Sequence, residues 1–311
     1  MLKMVEYNGE KITVMACSKC NIDCEHCYIS YKGNMTPEYL KNTVKNLSKK
    51  YKVEINGSEI LTDLDYLESY PIAGQDFLMT NGLALYQKPD LIKLLKEYGI
   101  KKIFMSYHFG IQDDISSVKI QQLEENIKNI HANGLKIRLY ITVTTKNYKL
   151  IHEVIESAKK YGVYSVRFTN YINQGNALNM NLSNILTEEQ LNVFFNEIKT
   201  ERQQNDINKM KITRCGSFGN GNSKNFICYA GINNVVLTPD NSIYPCIFLA
   251  KPGYEIGYYD TQKVNILNKI DNDGKECAVK EICNNKNNKI FIKDNIAISL
   301  LKMLKTEEEN N

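Results

Sequence analysis

Histidine is scarce in this chain: four residues among 311, at positions 26, 108, 131 and 152. No Ser–His–Asp set and no paired carboxylates stand out, so triad hydrolysis and two-acid chemistry have no visible foothold. Long apolar runs are missing too. Nothing approaches the ~18 apolar residues of a membrane span, and residues 1–10 are too polar for a signal peptide. That predicts a cytoplasmic protein that does not act at a membrane. A charge bias is also absent. The 39 Lys+Arg and 35 Asp+Glu leave a formal net charge of +4 with the signs interspersed, which excludes a basic arm for nucleic acid.

Cysteine, by contrast, is plentiful, with nine residues. A disulfide framework is excluded by the predicted compartment, where thiols stay reduced. Clustered thiols there point to metal or redox chemistry. Cys17, Cys20, Cys24 and Cys27 lie near the start, and Cys215, Cys228, Cys246, Cys277 and Cys283 lie in the last third. None lies between. Two groups so separated predict two metal centres.

Strand-like runs over 11–16, 52–55, 76–80, 102–108, 136–144 and 164–169 alternate with helical stretches over 37–49, 63–69, 89–98, 123–133, 147–161 and 187–203. Local signals support the boundaries. Thr36 before Pro37 is a good N-cap, Gly134 is a C-terminal stop, and Thr187 with Gln190 makes a capping box. Six strand–helix units in succession predict an α/β fold with a parallel sheet, a partial (β/α)6 barrel. Past residue 211 the strands shorten and read as antiparallel. The predicted division is a barrel domain over 1–210, a small α+β domain over 211–305, and a disordered tail over 306–311.

The first cysteine group reads Cys20-x3-Cys24-x2-Cys27, between the first strand and the first helix. That is the C-terminal rim of the sheet, where α/β barrels carry their sites. Three thiolates hold three irons of a cubane cluster and leave the fourth open for a ligand. A zinc knuckle is the rival and needs a fourth donor, for which Cys17 or His26 is available. His108 ends the fourth strand at the barrel mouth and is the best histidine for substrate contact or proton transfer.

This loop resembles the signature of the radical S-adenosylmethionine (SAM) superfamily, with His26 at its usual aromatic position and Tyr28 after the last cysteine. Asn56-Gly57-Ser58-Glu59 resembles the family's Gly-Gly-Glu element, which implies that Gly57, Ser58 and Glu59 meet the methionine amino group of SAM. Thr80-Asn81-Gly82 resembles a Thr-Asn-Gly turn common in the family. Val166-Arg167-Phe168 and Gln174-Gly175-Asn176-Ala177 resemble the segment lining the adenosine pocket. Ser106 and Thr142 are candidates for the SAM ribose or carboxylate. The resemblance implies a SAM-binding [4Fe–4S] cluster, a flavodoxin- or ferredoxin-type electron donor, and reductive cleavage of SAM to a 5′-deoxyadenosyl radical that takes hydrogen from a substrate.

The distal cysteines resemble the SPASM and twitch extensions of that superfamily. Cys228-Tyr229-Ala230-Gly231 and the hairpin around Pro239-Asp240-Asn241 before Cys246 match its first part. Cys277 and Cys283 match only the middle of its later cysteine run, since Gly274 and Asn287 stand at the outer positions. This implies one auxiliary [4Fe–4S] cluster on Cys228, Cys246, Cys277 and Cys283, with a four-cysteine zinc site as the chemical rival. Cys215 is left over as a fifth ligand, a hydrogen-donating thiol or a small buried hydrophobe. Enzymes with such extensions mostly modify ribosomally made peptides, so a peptide substrate is the leading expectation. A small-molecule substrate is the second, and a zinc-stabilised binding protein without catalysis the third. Because the barrel begins about ten residues in, a leader peptide would have to be recognised without an N-terminal recognition domain.

Overall fold

In the computed structural model the described residues are 4–180, 184–207, 209–215, 218 and 230–267. Cys228, Cys277, Cys283 and the predicted tail lie outside them. Among the described residues twelve strands form two sheets. Strands β1 (Met4–Glu6), β2 (Lys11–Met15) and β3 (Lys52–Asn56) belong to a seven-stranded sheet of order β1-β12-β11-β10-β9-β2-β3. Strands β4 (Phe77–Thr80), β5 (Lys102–Ser106), β6 (Lys136–Val143), β7 (Ser165–Asn170) and β8 (Lys211–Arg214) form the second in that order, parallel throughout. The six predicted strands correspond to β2 through β7.

The long predicted helices are present as α1 (Pro37–Leu47), α6 (Ile120–Ala132), α7 (Ile151–Lys160) and α8 (Glu188–Gln204). The Thr36 side chain accepts from Tyr39 N, and Thr187 with Gln190 forms the reciprocal box. Residues 63–69 are a 3₁₀ turn, Leu64–Glu68, running into the short helix α2 (Ser69–Ala73). The third predicted helix, 89–98, is α4 (Leu91–Glu97), and an additional short helix, α3 (Leu83–Gln87), precedes it after the Asn81–Gly82 turn. The short α5 (Gln112–Ile115) follows β5. Among the described residues no helix is long and apolar enough to cross a membrane.

Strand β6 states the packing rule. Ile137, Leu139, Ile141 and Val143 are all but fully buried, while Arg138, Tyr140 and Thr142 are half-buried. The apolar row packs against the helices, through residues such as Leu123, Ile127, Ile130, Val154 and Ile155. Each such side chain is worth about 1.5–3 kcal/mol of transfer free energy. The alternate row faces the lumen. Register extends that row sideways: Phe104 pairs with Arg138, and Ser106 with Tyr140 and then Arg167. Toward the N-terminal ends, Phe77 stacks on Phe104 at 4.6 Å and the Arg138 guanidinium lies 4.5 Å from the Phe104 ring. That stack fills the lower lumen.

Two features were not legible in the chain. β3 and β4 share no backbone ladder; Gln75 stands in for one. Its Oε1 accepts from Ile55 N at 2.6 Å and its Nε2 donates to Ile55 O at 3.0 Å and Phe77 O at 2.9 Å. Beyond residue 210 the strands are also not all antiparallel. β8 pairs parallel with β7, and β9 (Asn234–Leu237) pairs parallel with β2. The antiparallel part is β9 with β10 (Ser242–Tyr244), β11 (Gly257–Tyr259) and β12 (Val264–Leu267), closed by β1. The β9–β10 turn has Asn241 at φ 65°, a left-handed position that Asn tolerates.

Candidate active site

The cysteine loop is pinched off at its neck. Cys17 and Asn34 form an isolated antiparallel bridge, Ser18 N donates to Gly33 O at 2.9 Å, and Lys19 N donates to Asn34 Oδ1 at 3.0 Å. Residues 18–33 therefore project as one unit from the C-terminal end of β2. Cys17 points inward, is fully buried, and donates weakly to Glu59 O and Lys19 O. Its packing explains Gly57, where a Cβ would lie 2.7 Å from Cys17 Sγ. Cys17 is thus a core residue and not a fourth donor for the loop.

Cys20 is exposed, and Cys24 and Cys27 are half-buried. Burial pushes the Cys24 thiol up to about 12, with the neighbouring Cys27 and Cys20 adding to the rise. Burial also raises Cys20 and Cys27. The three thiols share one electrostatic neighbourhood. Among the described residues no three His, Cys, Asp or Glu side chains converge closely enough to hold a single metal ion. Three thiols are the donor set of a cubane cluster with one open iron, whereas a zinc knuckle needs a fourth donor.

The segment after β7 grips this loop from outside. Asn176 Nδ2 donates to Asp23 Oδ1 at 2.6 Å and to Cys24 O at 3.2 Å. Ala177 N donates to Cys27 O at 3.3 Å, and Gln174 Nε2 to Tyr28 O at 3.2 Å. Gly175 sits between at φ 62°, where a Cβ would stand 2.6 Å from Cys27 O. Three loop carbonyls are thereby held by one short stretch of chain.

No family model matches the chain, and no curated protein matches it in sequence. Solved structures do match. SuiB of Streptococcus suis bound to precursor peptide SuiA aligns with 13% identity and a TM-score of 0.62, over 79% of this chain and 61% of SuiB. SuiB bound to S-adenosylmethionine gives 14% and 0.63, over 78% and 61%. Histidine-tagged anSMEcpe with bound AdoMet gives 17% and 0.62, over 82% and 78%. The chain shares its fold with SuiB and anSMEcpe. It spans about three fifths of SuiB's length.

In this shared fold the remaining candidates divide into two sets. Glu59 belongs to the first. Its side chain is fully buried and held by three donors: Oε1 accepts from Leu61 N at 3.2 Å, and Oε2 from Thr80 Oγ1 at 3.0 Å and Asn81 N at 2.8 Å. Burial pushes its carboxyl up to about 7 against the pull of those three donors. The carboxylate ties the post-β3 and post-β4 loops together. Ser58 N is likewise occupied, donating to Cys17 O at 2.9 Å.

His108 belongs to the same set. It is 5% exposed, its Nδ1 accepts from Thr142 N at 3.0 Å, and the His26 ring stands edge-on at 4.4 Å. Burial drives His108 well below its ordinary value, and His26 adds to the drop. The His108 ring is thus packed against His26 of the cysteine loop, with Nδ1 serving the Thr142 amide.

The second set is Tyr28, Cys215, Ser106, Thr142 and Arg167. Tyr28 sits edge-on to Phe248 at 4.9 Å, and its phenol is raised by burial and by the neighbouring Cys27, Cys246 and Cys215. Cys215 is half-buried just past β8, its N–H donating to Phe168 O at 2.8 Å. Thr142 Oγ1 lies 3.5 Å from Thr169 Oγ1, and the Arg167 guanidinium 6.0 Å from the Tyr140 ring. Ser106 is in register with Tyr140 on the same lumen row. Sequence reasoning missed Gln75 and Ser116. Each contributes a single polar side chain whose partner is distant in the chain, and no local pattern marks such a residue.

Proposed function

We propose that the chain is a radical SAM enzyme that modifies a peptide. The observation that carries this reading is the Cys20–Cys24–Cys27 loop at the rim of β2, in a fold it shares with a SAM-bound and a precursor-peptide-bound structure. Cys20, Cys24 and Cys27 would hold a [4Fe–4S] cluster, which would supply the electron for reductive cleavage of SAM. The chain's own residues orient and enclose. Gln174, Asn176 and Ala177 hold the loop carbonyls, and the Glu59 carboxylate fixes the Asn81 turn beside it. Arg167, Ser106, Thr142 and Thr169 offer a cation and hydroxyls across the mouth, and Tyr28 walls the side facing Cys215 and Cys246. Cys246, with Cys228, Cys277 and Cys283, would hold an auxiliary [4Fe–4S] cluster.

The test is anaerobic reconstitution of the full chain, followed by iron and sulfide analysis and by assay of 5′-deoxyadenosine after reduction with flavodoxin or dithionite. Bound iron and SAM cleavage that vanish in Cys24→Ala support the reading. Retained zinc, or reduced iron-loaded protein that leaves SAM intact, sinks it. A mass change in a short peptide encoded beside the gene supports the peptide substrate. Turnover of an alcohol or other small molecule in its place overturns that part alone.

A further inference from the structure

Two side chains from outside the cysteine loop reach its thiols. Asn81 donates from Nδ2 to Cys20 Sγ at 3.5 Å and to Asn21 Oδ1 at 2.8 Å, and its Oδ1 accepts from Leu83 N at 2.9 Å. The amide therefore has one sensible orientation. Turned over, it would set NH2 against Leu83 N–H and oxygen against Asn21 Oδ1. The buried Glu59 carboxylate holds Asn81 N–H from behind at 2.8 Å. Ser116 approaches from the other side, with its Oγ 3.8 Å from Cys24 Sγ. That oxygen already accepts from Val118 N at 3.2 Å. Its own hydrogen is left to turn toward sulfur once Cys24 has given up a proton to bind metal.

We propose that Asn81 and Ser116 donate hydrogen bonds to the Cys20 and Cys24 thiolates of the bound cluster and thereby hold its reduction potential up. The inference rests on the cluster reading above and names two residues that tune it. Reduction adds negative charge that spreads onto the thiolate sulfurs, and donors aimed at those sulfurs stabilise the reduced form more than the oxidised one. Both residues act through the ligands and are positioning residues.

The experiment uses the full chain, reconstituted anaerobically and titrated electrochemically. The readout is the paramagnetic signal that disappears when Cys20, Cys24 and Cys27 are all replaced by Ala. Ser116→Ala removes the hydroxyl. Asn81→Asp keeps the acceptor for Leu83 N–H and replaces the donor with a carboxylate oxygen. Each should lower the reduced-to-oxidised ratio at a fixed potential about tenfold, a midpoint about 59 mV more negative for one electron, and Ser116→Thr should restore it. A variant that keeps the wild-type melting temperature but loses iron also supports the proposal, because outer donors orient the ligands. Wild-type midpoints in both Ser116→Ala and Asn81→Asp overturn it. Wild-type protein that takes up no iron is a different failure and removes the cluster reading instead.

Discussion

Gly175→Ala is the sharpest single perturbation of the site. The residue is at φ 62°, where an L side chain costs about 1–2 kcal/mol. Its new Cβ would stand 2.6 Å from Cys27 O, 2.7 Å from Ile29 O and 2.9 Å from the Tyr28 carbonyl carbon. All three are backbone atoms, so no flexible side chain can swing away. Relief requires moving the cysteine loop, and overpacking of this kind costs about 1–3 kcal/mol. Together the two effects amount to about 2–5 kcal/mol against a whole-protein stability of ~5–15 kcal/mol. At roughly 2 °C per kcal/mol for a chain of this size, the melting temperature falls by roughly 4–10 °C. The alternative response is that the loop peels away from the Gln174–Ala177 grip. The melting temperature then changes less, and iron bound per chain drops after reconstitution. Thermal melting and iron analysis on the same preparation read both responses. A melting temperature within about 1 °C of wild type and unchanged iron would refute the reasoning.

Gln75→Ala leaves Ile55 N–H and C=O without partners between β3 and β4; at about 1–3 kcal/mol per unsatisfied buried group, urea denaturation should report a loss of about 2–6 kcal/mol. His108 has a folded value well below the unfolded 6.5, so the unfolded chain binds more protons below that pH. Stability is complete above 6.5 and is lost as pH falls, by up to about 1.4 kcal/mol per pH unit. Denaturation at pH 7.5, 6.5 and 5.5 should show that slope in the wild type and a flatter one in His108→Phe, with the variant weaker at pH 7.5 because Thr142 N–H loses its acceptor. Equal slopes in the two proteins would contradict the buried neutral imidazole.

Much of this protein was written in local pattern. The alternation of β6, the Thr36 and Thr187 caps and the spacing of Cys20, Cys24 and Cys27 each depend on residues a few positions apart, so periodicity and turn chemistry expose them in one dimension. Asn241 at its left-handed turn was legible for the same reason. What the tertiary structure decided is which polar group meets which. Glu59 reads only as a carboxylate after a strand, and the fold brings Thr80 and Asn81, more than twenty residues on, to donate to it. His108 reads as a residue of the barrel mouth, yet the Thr142 amide and the His26 ring enclose it. Gln75 carries no signal at all until β3 and β4 lie side by side with a gap that one amide can span. Apolar burial is summed over many residues and leaves a period in the sequence. A hydrogen bond joins two atoms whose separation along the chain is arbitrary, and only folding brings them into contact.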